Sequence, residues 1–163
     1  MAEGYVTHAE KDGVHVIRYY GRVEYPIAAE LQRYMDALLE QHCQRVVFDL
    51  TKAYRLDSTH LGLLARMAHR VRSTEGRTLI VSTHPDINVV LTSMGFDRAF
   101  DVVTHPPQQR GEERRIDEGR ATREQLAQTM LEAHRTLVEL SEQGRVRFRD
   151  VVTCLEAELN LGP

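Results

Sequence analysis

Two short apolar runs, Val46-Val47-Phe48-Asp49-Leu50 and Thr78-Leu79-Ile80-Val81, constrain the fold more than any other feature of the chain. A run without polar alternation is the pattern of a strand buried on both faces, as in a central strand covered by helices. Each run is followed by a segment of helical spacing. After the first, Leu61, Leu64, Ala65, Ala68 and Val71 mark one helix, with Gly76 as its terminator. After the second, Pro85 sits at a first helical position and Ile87, Val90, Leu91 and Met94 form one face before Gly95. Upstream, Val14 to Tyr20 lies between Gly13 and Gly21 and reads as a strand, with Tyr5 to Ala9 as its partner across a turn at Lys11-Asp12-Gly13. Ile27, Leu31, Met35, Leu38 and Leu39 predict a helix after Pro26, and Ala99 to Val103 closes the series as a short strand. The order β-β-α-β-α-β-α-β predicts an α/β fold, with a mixed four- to five-stranded sheet and helices packed against it, over residues 1–103.

Composition shifts at His105-Pro106-Pro107, and the polar stretch that follows predicts a mobile linker over 104–121. A helical hairpin is expected over 122–160. Thr122-Arg123-Glu124-Gln125 fits a capping box, in which the Thr hydroxyl and the Gln side chain satisfy free N–H groups reciprocally. Leu126, Met130, Leu137 and Val138 continue as an amphipathic helix that Gly144 would stop. Phe148, Val151, Val152, Leu155 and Leu159 make a second stripe beyond Arg145-Val146-Arg147. Neither stripe is satisfied alone, so each must bury against the other, the sheet, or a second chain, and the hairpin is expected to add a second contact surface or a homodimer seam.

With 163 residues the chain holds one full domain and an appendage. A net charge of −3 gives no electrostatic footprint for non-specific nucleic-acid binding. Met1-Ala2-Glu3-Gly4 opens no basic-then-apolar signal, and no apolar run reaches the roughly 20 residues that span a bilayer, so a cytoplasmic protein without direct membrane insertion is expected. Cys43 and Cys154 stand in no CxxC or His-spaced cluster and are expected to pack on apolar helix faces. The eight histidines, His8, His15, His42, His60, His69, His84, His105 and His134, show no close helical pairing of the metal-binding kind, so no metal or other cofactor is expected. Met94 and Met130 are core by spacing, and the arginines of Arg145 to Arg149 read as a solvated helix start.

The junction between the first apolar run and its helix, Leu56-Asp57-Ser58-Thr59-His60-Leu61-Gly62-Leu63-Leu64, carries the chemistry. Asp, Ser and Thr are common helix N-caps, each worth typically about 1 kcal/mol, so such a triplet often marks only a helix start. One cap suffices, however, and no Glu or Gln stands three residues after Ser58 or Thr59 to complete a capping box. At least one small hydroxyl is left where the first N–H groups of a helix face solvent, a natural seat for a phosphate. Ser58 lacks the glycine-flanked elbow of hydrolases, so an enzyme is not expected.

Leu56-Asp57-Ser58-Thr59-x-Leu61-Gly62, the upstream strand ending Phe48-Asp49-Leu50, and Gly95-Phe96-Asp97-Arg98-Ala99-Phe100 downstream together resemble the STAS family of anti-sigma-factor antagonists, over roughly residues 5–103. The resemblance implies that the Ser after the Asp, here Ser58, is phosphorylated by a serine kinase and restored by a PP2C-like phosphatase. It implies partner switching: an anti-sigma factor or related signalling protein is bound when Ser58 is unphosphorylated and released when it is phosphorylated. The expected contact surface is Asp57, Ser58, Thr59, His60, Gly62 and Leu63. The family usually carries Gly where this chain has His60, which stands ready to donate to a phosphate on Ser58. A different expectation is an accessory STAS subunit of a membrane transport complex, in which the serine is not phosphorylated.

Overall fold

The computed structural model describes residues 4–105, 111–117, 119 and 121–159. Its strands are β1 (Tyr5–Lys11), β2 (Val14–Val23), β3 (Arg45–Leu56), β4 (Arg77–Val81), β5 (Asp101–Val103) and β6 (Arg114–Arg115). Its helices are α1 (Ala28–Glu40), α2 (Ser58–Ser73), α3 (Pro85–Ser93), α4 (Phe96–Ala99), α5 (Arg123–Leu140) and α6 (Glu142–Glu158). They build a mixed sheet of order β5-β4-β3-β2-β1-β6, one strand beyond the expected number. The β1–β2 hairpin turns through Asp12 and Gly13, both at left-handed φ (52° and 80°), and Glu10 accepts from the Gly13 N–H at 2.9 Å. From β2 to β5 the strands are parallel and lie side by side in chain order. Right-handed crossovers of that kind put their connecting helices on one face of the sheet.

The main core forms on that face. Ile17, Tyr19, Phe48, Leu50 and Ile80 from the strands meet Leu31, Met35, Leu63, Leu64 and Met67 from α1 and α2, all fully buried. The opposite face carries a smaller cluster of strand residues alone: Val14, Val16, Val47 and Val81, with Leu79 and Val103 against them. The apolar run of β3 is therefore buried on both faces, but one side is closed by neighbouring strand side chains rather than by helices.

β3 runs six residues past the expected end at Leu50. Its second half pairs with the far end of β2, Tyr20 with Lys52 and Gly21 with Ala53 after one register shift and Val23 with Leu56 after a second. This extension delivers Leu56 and Asp57 to the start of α2.

The C-terminal hairpin is packed onto this body. Thr122 caps α5 with both halves of the capping box in place. Ala133 and Leu137 are fully buried in the same core cluster as the sheet. The approach of α5 to α2 is close because Gly62 has no side chain: a Cβ there would lie 2.2 Å from the Ala133 carbonyl oxygen. Gly144 does not stop α5. Ser141 ends that helix and caps α6, accepting from the Gly144 N–H at 3.0 Å, and Arg145-Val146-Arg147 lies inside α6 rather than between the helices. Gly144 is needed for proximity instead, since a Cβ would meet the Leu137 carbonyl oxygen at 1.9 Å.

Part of the stretch expected as a mobile linker is structured. Arg114–Arg115 adds to the β1 edge, and Ile116 is buried in the main core. Glu113 accepts from Thr7 (3.1 Å), Arg18 (2.6 Å) and Tyr20 (2.7 Å). Residues 106–110, 118 and 120 of that stretch, and residue 160 of the expected hairpin, lie outside the described residues. Cys43 is buried, but in the loop before β3, and Cys154 is exposed on α6, so neither packs on an apolar helix face. Met94 is core as expected, whereas Met130 is half-buried.

Candidate functional site

The site is assembled at the end of β3. Asp57 leaves the strand in extended conformation and caps α2, its carboxylate accepting from the His60 N–H at 3.0 Å. Capping is thus done by the aspartate, and both hydroxyls that follow are free of it. Thr59 turns inward and is 2% exposed. Ser58, at the first helical position, is half-buried and lines a cleft of about 630 Å³.

The cleft runs between the sheet body and the C-terminal hairpin. Ile87 and Met94 from the α3 region and Phe148 from α6 give it apolar walls. Tyr25, Tyr54 and Val90 stand at its edge, three of the six large hydrophobic side chains exposed among the described residues. Arg55 and Arg147 bring positive charge to it, and Glu24, Asp57 and Asp86 negative charge; Glu24 is paired with Arg22.

The Ser58 hydroxyl has a partner that the sequence did not indicate. Its Oγ lies 2.8 Å from Nε2 of His134, 76 positions later on α5. His134 is 3% exposed, its Nδ1 lies 2.7 Å from the Met130 carbonyl oxygen, and its ring stands edge-on to Phe148. A carbonyl only accepts, so Nδ1 carries a proton, and in the neutral ring Nε2 accepts the hydroxyl hydrogen of Ser58. The ring is oriented by a neutral carbonyl, not by the carboxylate that would stabilise an imidazolium in a hydrolytic triad.

His60 does not play the expected part. It is fully buried and points into the core, where Nε2 donates to the Glu24 carbonyl at 2.8 Å and the ring meets Tyr19 edge-on. Burial lowers its proton affinity below the ordinary histidine range, against the opposing pull of the Asp57 carboxylate and the Glu24 carbonyl. Gly62 lies beneath Ala133 and Leu63 is fully buried. Of the six expected contact residues, the structure brings Asp57 and Ser58 to the cleft and puts Thr59, His60, Gly62 and Leu63 inside. For Gly62 the physical reason is the hairpin, whose Ala133 backbone lies against it, whereas His60 turns into the sheet body toward Glu24 and Tyr19. His134 was legible only as a polar residue set in the apolar stripe between Met130 and Leu137.

Below the site, Arg18 anchors the β2–β3 pair with its Nε 2.7 Å from Asp49. Burial opposes ionisation of Asp49, but hydrogen bonds from Thr51 and Arg18 outweigh it and hold the carboxyl below its usual range. No helix of the described residues is long and apolar enough to cross a membrane, and no group of three or more His, Cys, Asp or Glu among them could hold a metal ion.

The STAS domain family model matches residues 5–108, and the chain belongs to that family. Several solved structures share the fold. An anti-sigma factor antagonist from Mycobacterium paratuberculosis is 22% identical, with 63% of this chain and 86% of that one covered at a TM-score of 0.56. A putative anti-sigma factor antagonist from Thermotoga maritima is 18% identical, with 60% and 85% covered at 0.56. The phosphorylated form of the Bacillus cell-fate determinant SpoIIAA is 17% identical, with 61% and 92% covered at 0.51. No curated protein matches the chain.

Proposed function

We propose that this protein is a phospho-regulated interaction switch of the anti-sigma-factor-antagonist type. It binds an anti-sigma factor or related signalling protein while Ser58 is unmodified and releases it once a serine kinase has phosphorylated Ser58; a PP2C-like phosphatase resets it. The observation that carries this reading is the placement of Ser58. It lines a cleft at the start of a 16-residue helix, and the capping task there belongs to Asp57. Membership of the STAS family and structural likeness to anti-sigma factor antagonists support the same reading.

A phosphate at that position adds about −1.5 to −2 charges and three acceptor oxygens. A helix N-terminus tolerates that charge, so the fold persists. A partner seated over Ser58, Asp57 and the exposed Tyr25, Tyr54 and Val90 meets repulsion, bulk and a desolvation cost instead. A loss of about 3 kcal/mol at the centre of an interface weakens binding more than a hundredfold. The test compares target affinity of Ser58→Ala with that of Ser58→Asp. Ser58→Ala should bind and Ser58→Asp should not; equal binding by both ends the proposal.

A further inference from the structure

His134 belongs to the C-terminal extension, outside the residues that the family model matches. Yet it makes the only side-chain hydrogen bond that the described residues give to the Ser58 hydroxyl. We propose that His134 receives the proton that Ser58 surrenders on phosphorylation and keeps it as the counter-ion of the phosphate, so that the hairpin senses the modification from within the chain. The inference rests on the reading of Ser58 as a phosphorylation site.

The argument is one of hydrogen-bond accounting. With Nδ1–H committed to the Met130 carbonyl, the neutral ring presents only a lone pair to Ser58, and the hydroxyl hydrogen satisfies it. In phosphorylation, Oγ forms a bond to the terminal phosphorus of a nucleoside triphosphate brought by the kinase. The bond from that phosphorus to the leaving diphosphate breaks, and the Ser58 proton must go elsewhere. What remains beside Nε2, once the phosphate is a dianion, is a group with acceptor oxygens and no hydrogen. A buried lone pair facing phosphate oxygens is untenable, so the ring takes up the proton or the contact breaks. The first outcome is favoured by the setting. A protonated His134, itself 3% exposed, donates at both nitrogens, to Met130 and to the phosphate.

Among the described residues, no charged group lining the cleft is bonded to the Ser58 hydroxyl. Arg147 is carried on α6, with its guanidinium over the neighbouring Phe148 ring, and Arg55 on the exposed end of β3. Asp57, Asp86 and Glu24 are negative and cannot satisfy the phosphate. On α5 itself the flanking charges face other partners, Arg135 to Glu156 and Glu132 to Gln32 and Arg66.

The experiment uses the whole chain with phosphoserine inserted at position 58 during translation, compared with the unmodified chain. Nitrogen NMR of the His134 ring near neutral pH should show the neutral Nδ1–H form without the phosphate and both nitrogens protonated with it. Amide exchange across α5 and α6 should slow on phosphorylation. Phosphorus NMR should place the second ionisation of the phosphate roughly one pH unit higher in His134→Gln, which keeps a hydrogen-bonding side chain but cannot become charged. A neutral His134 in the phosphorylated chain, or an unchanged phosphate titration in His134→Gln, overturns the proposal. Because the phosphate is installed synthetically, this result is independent of whether the native cell modifies Ser58, which mass spectrometry of the native protein decides separately.

Discussion

Gly62→Ala offers a sharp test of how the hairpin is seated, because two physical effects predict opposite signs. In the interior of a helix, Ala is favoured over Gly by roughly 0.5–1 kcal/mol through backbone entropy. Judged on α2 alone, the substitution should stabilise the protein. The structure predicts the reverse. The added methyl would lie 2.2 Å from the Ala133 carbonyl oxygen, 2.5 Å from its carbon and 2.7 Å from its Cα. All three are backbone atoms of α5, so no rotamer change relieves the overlap, and α5 must retreat by about 1 Å before ordinary contact is restored. That retreat loosens Leu131, Ala133 and Leu137, each fully buried. Overpacking of this kind costs typically 1–3 kcal/mol, which outweighs the helical gain and leaves a net loss of about 1–2 kcal/mol. For a chain of this size the corresponding fall in Tm is roughly 3–6 °C. Chemical denaturation and calorimetry measure the loss directly. Hydrogen exchange should find it concentrated at the α2–α5 seam, and the Ser58–His134 contact, one turn from Gly62, should weaken with it. A Tm equal to or above that of the parent chain would refute the reasoning.

Other expectations follow from the same geometry. Thr122→Ala removes the capping box of α5 and should cost about 1 kcal/mol, measured by urea denaturation, with faster exchange in the first turn of that helix. Burial and the neighbouring His15 bring the His8 pKa down to about 4, despite the opposing Glu10 carboxylate, while the unfolded side chain titrates near the ordinary 6.5. As pH falls through that window the unfolded state binds the proton first, so stability should fall from about pH 6.5 to about pH 4; His8→Gln should show a shallower acid limb. Glu113→Gln keeps the shape but loses the charge that Arg18 faces. Because the pair is partly exposed, stability should change by less than about 1 kcal/mol, while exchange of the Ile116 N–H, which donates to Val6, should quicken.

The sheet and its connecting helices were legible because their signals are local. Apolar runs, helical spacing, and the punctuation of Gly13, Pro85 and Gly95 all act within a few residues. The second half of β3 was not, since Lys52, Tyr54 and Arg55 are exposed and its pairing with β2 is specified by a distant strand. Gly144 misled for a related reason: its role is set by the approach of Leu137, which spacing alone does not reveal. Asp57 and Ser58 emerged from the sequence through their order at a helix start. The inward course of His60 depends on the Glu24 carbonyl, and the partnership of Ser58 with His134 joins residues 76 positions apart. No short-range pattern carries such a contact, although a lone imidazole inside an apolar stripe is the trace it leaves.

The shared core of α2 and α5 bears on where this protein can be cut. Residues 5–108 define the recognisable family portion, but Ala133 and Leu137 fill space that this portion cannot close by itself. A fragment trimmed to that boundary would offer water a trough along Leu61 and Gly62 and would clump or recruit foreign chains. Binding assays made with such a fragment would then measure the adhesiveness of an opened interior, not the selectivity of the intact protein.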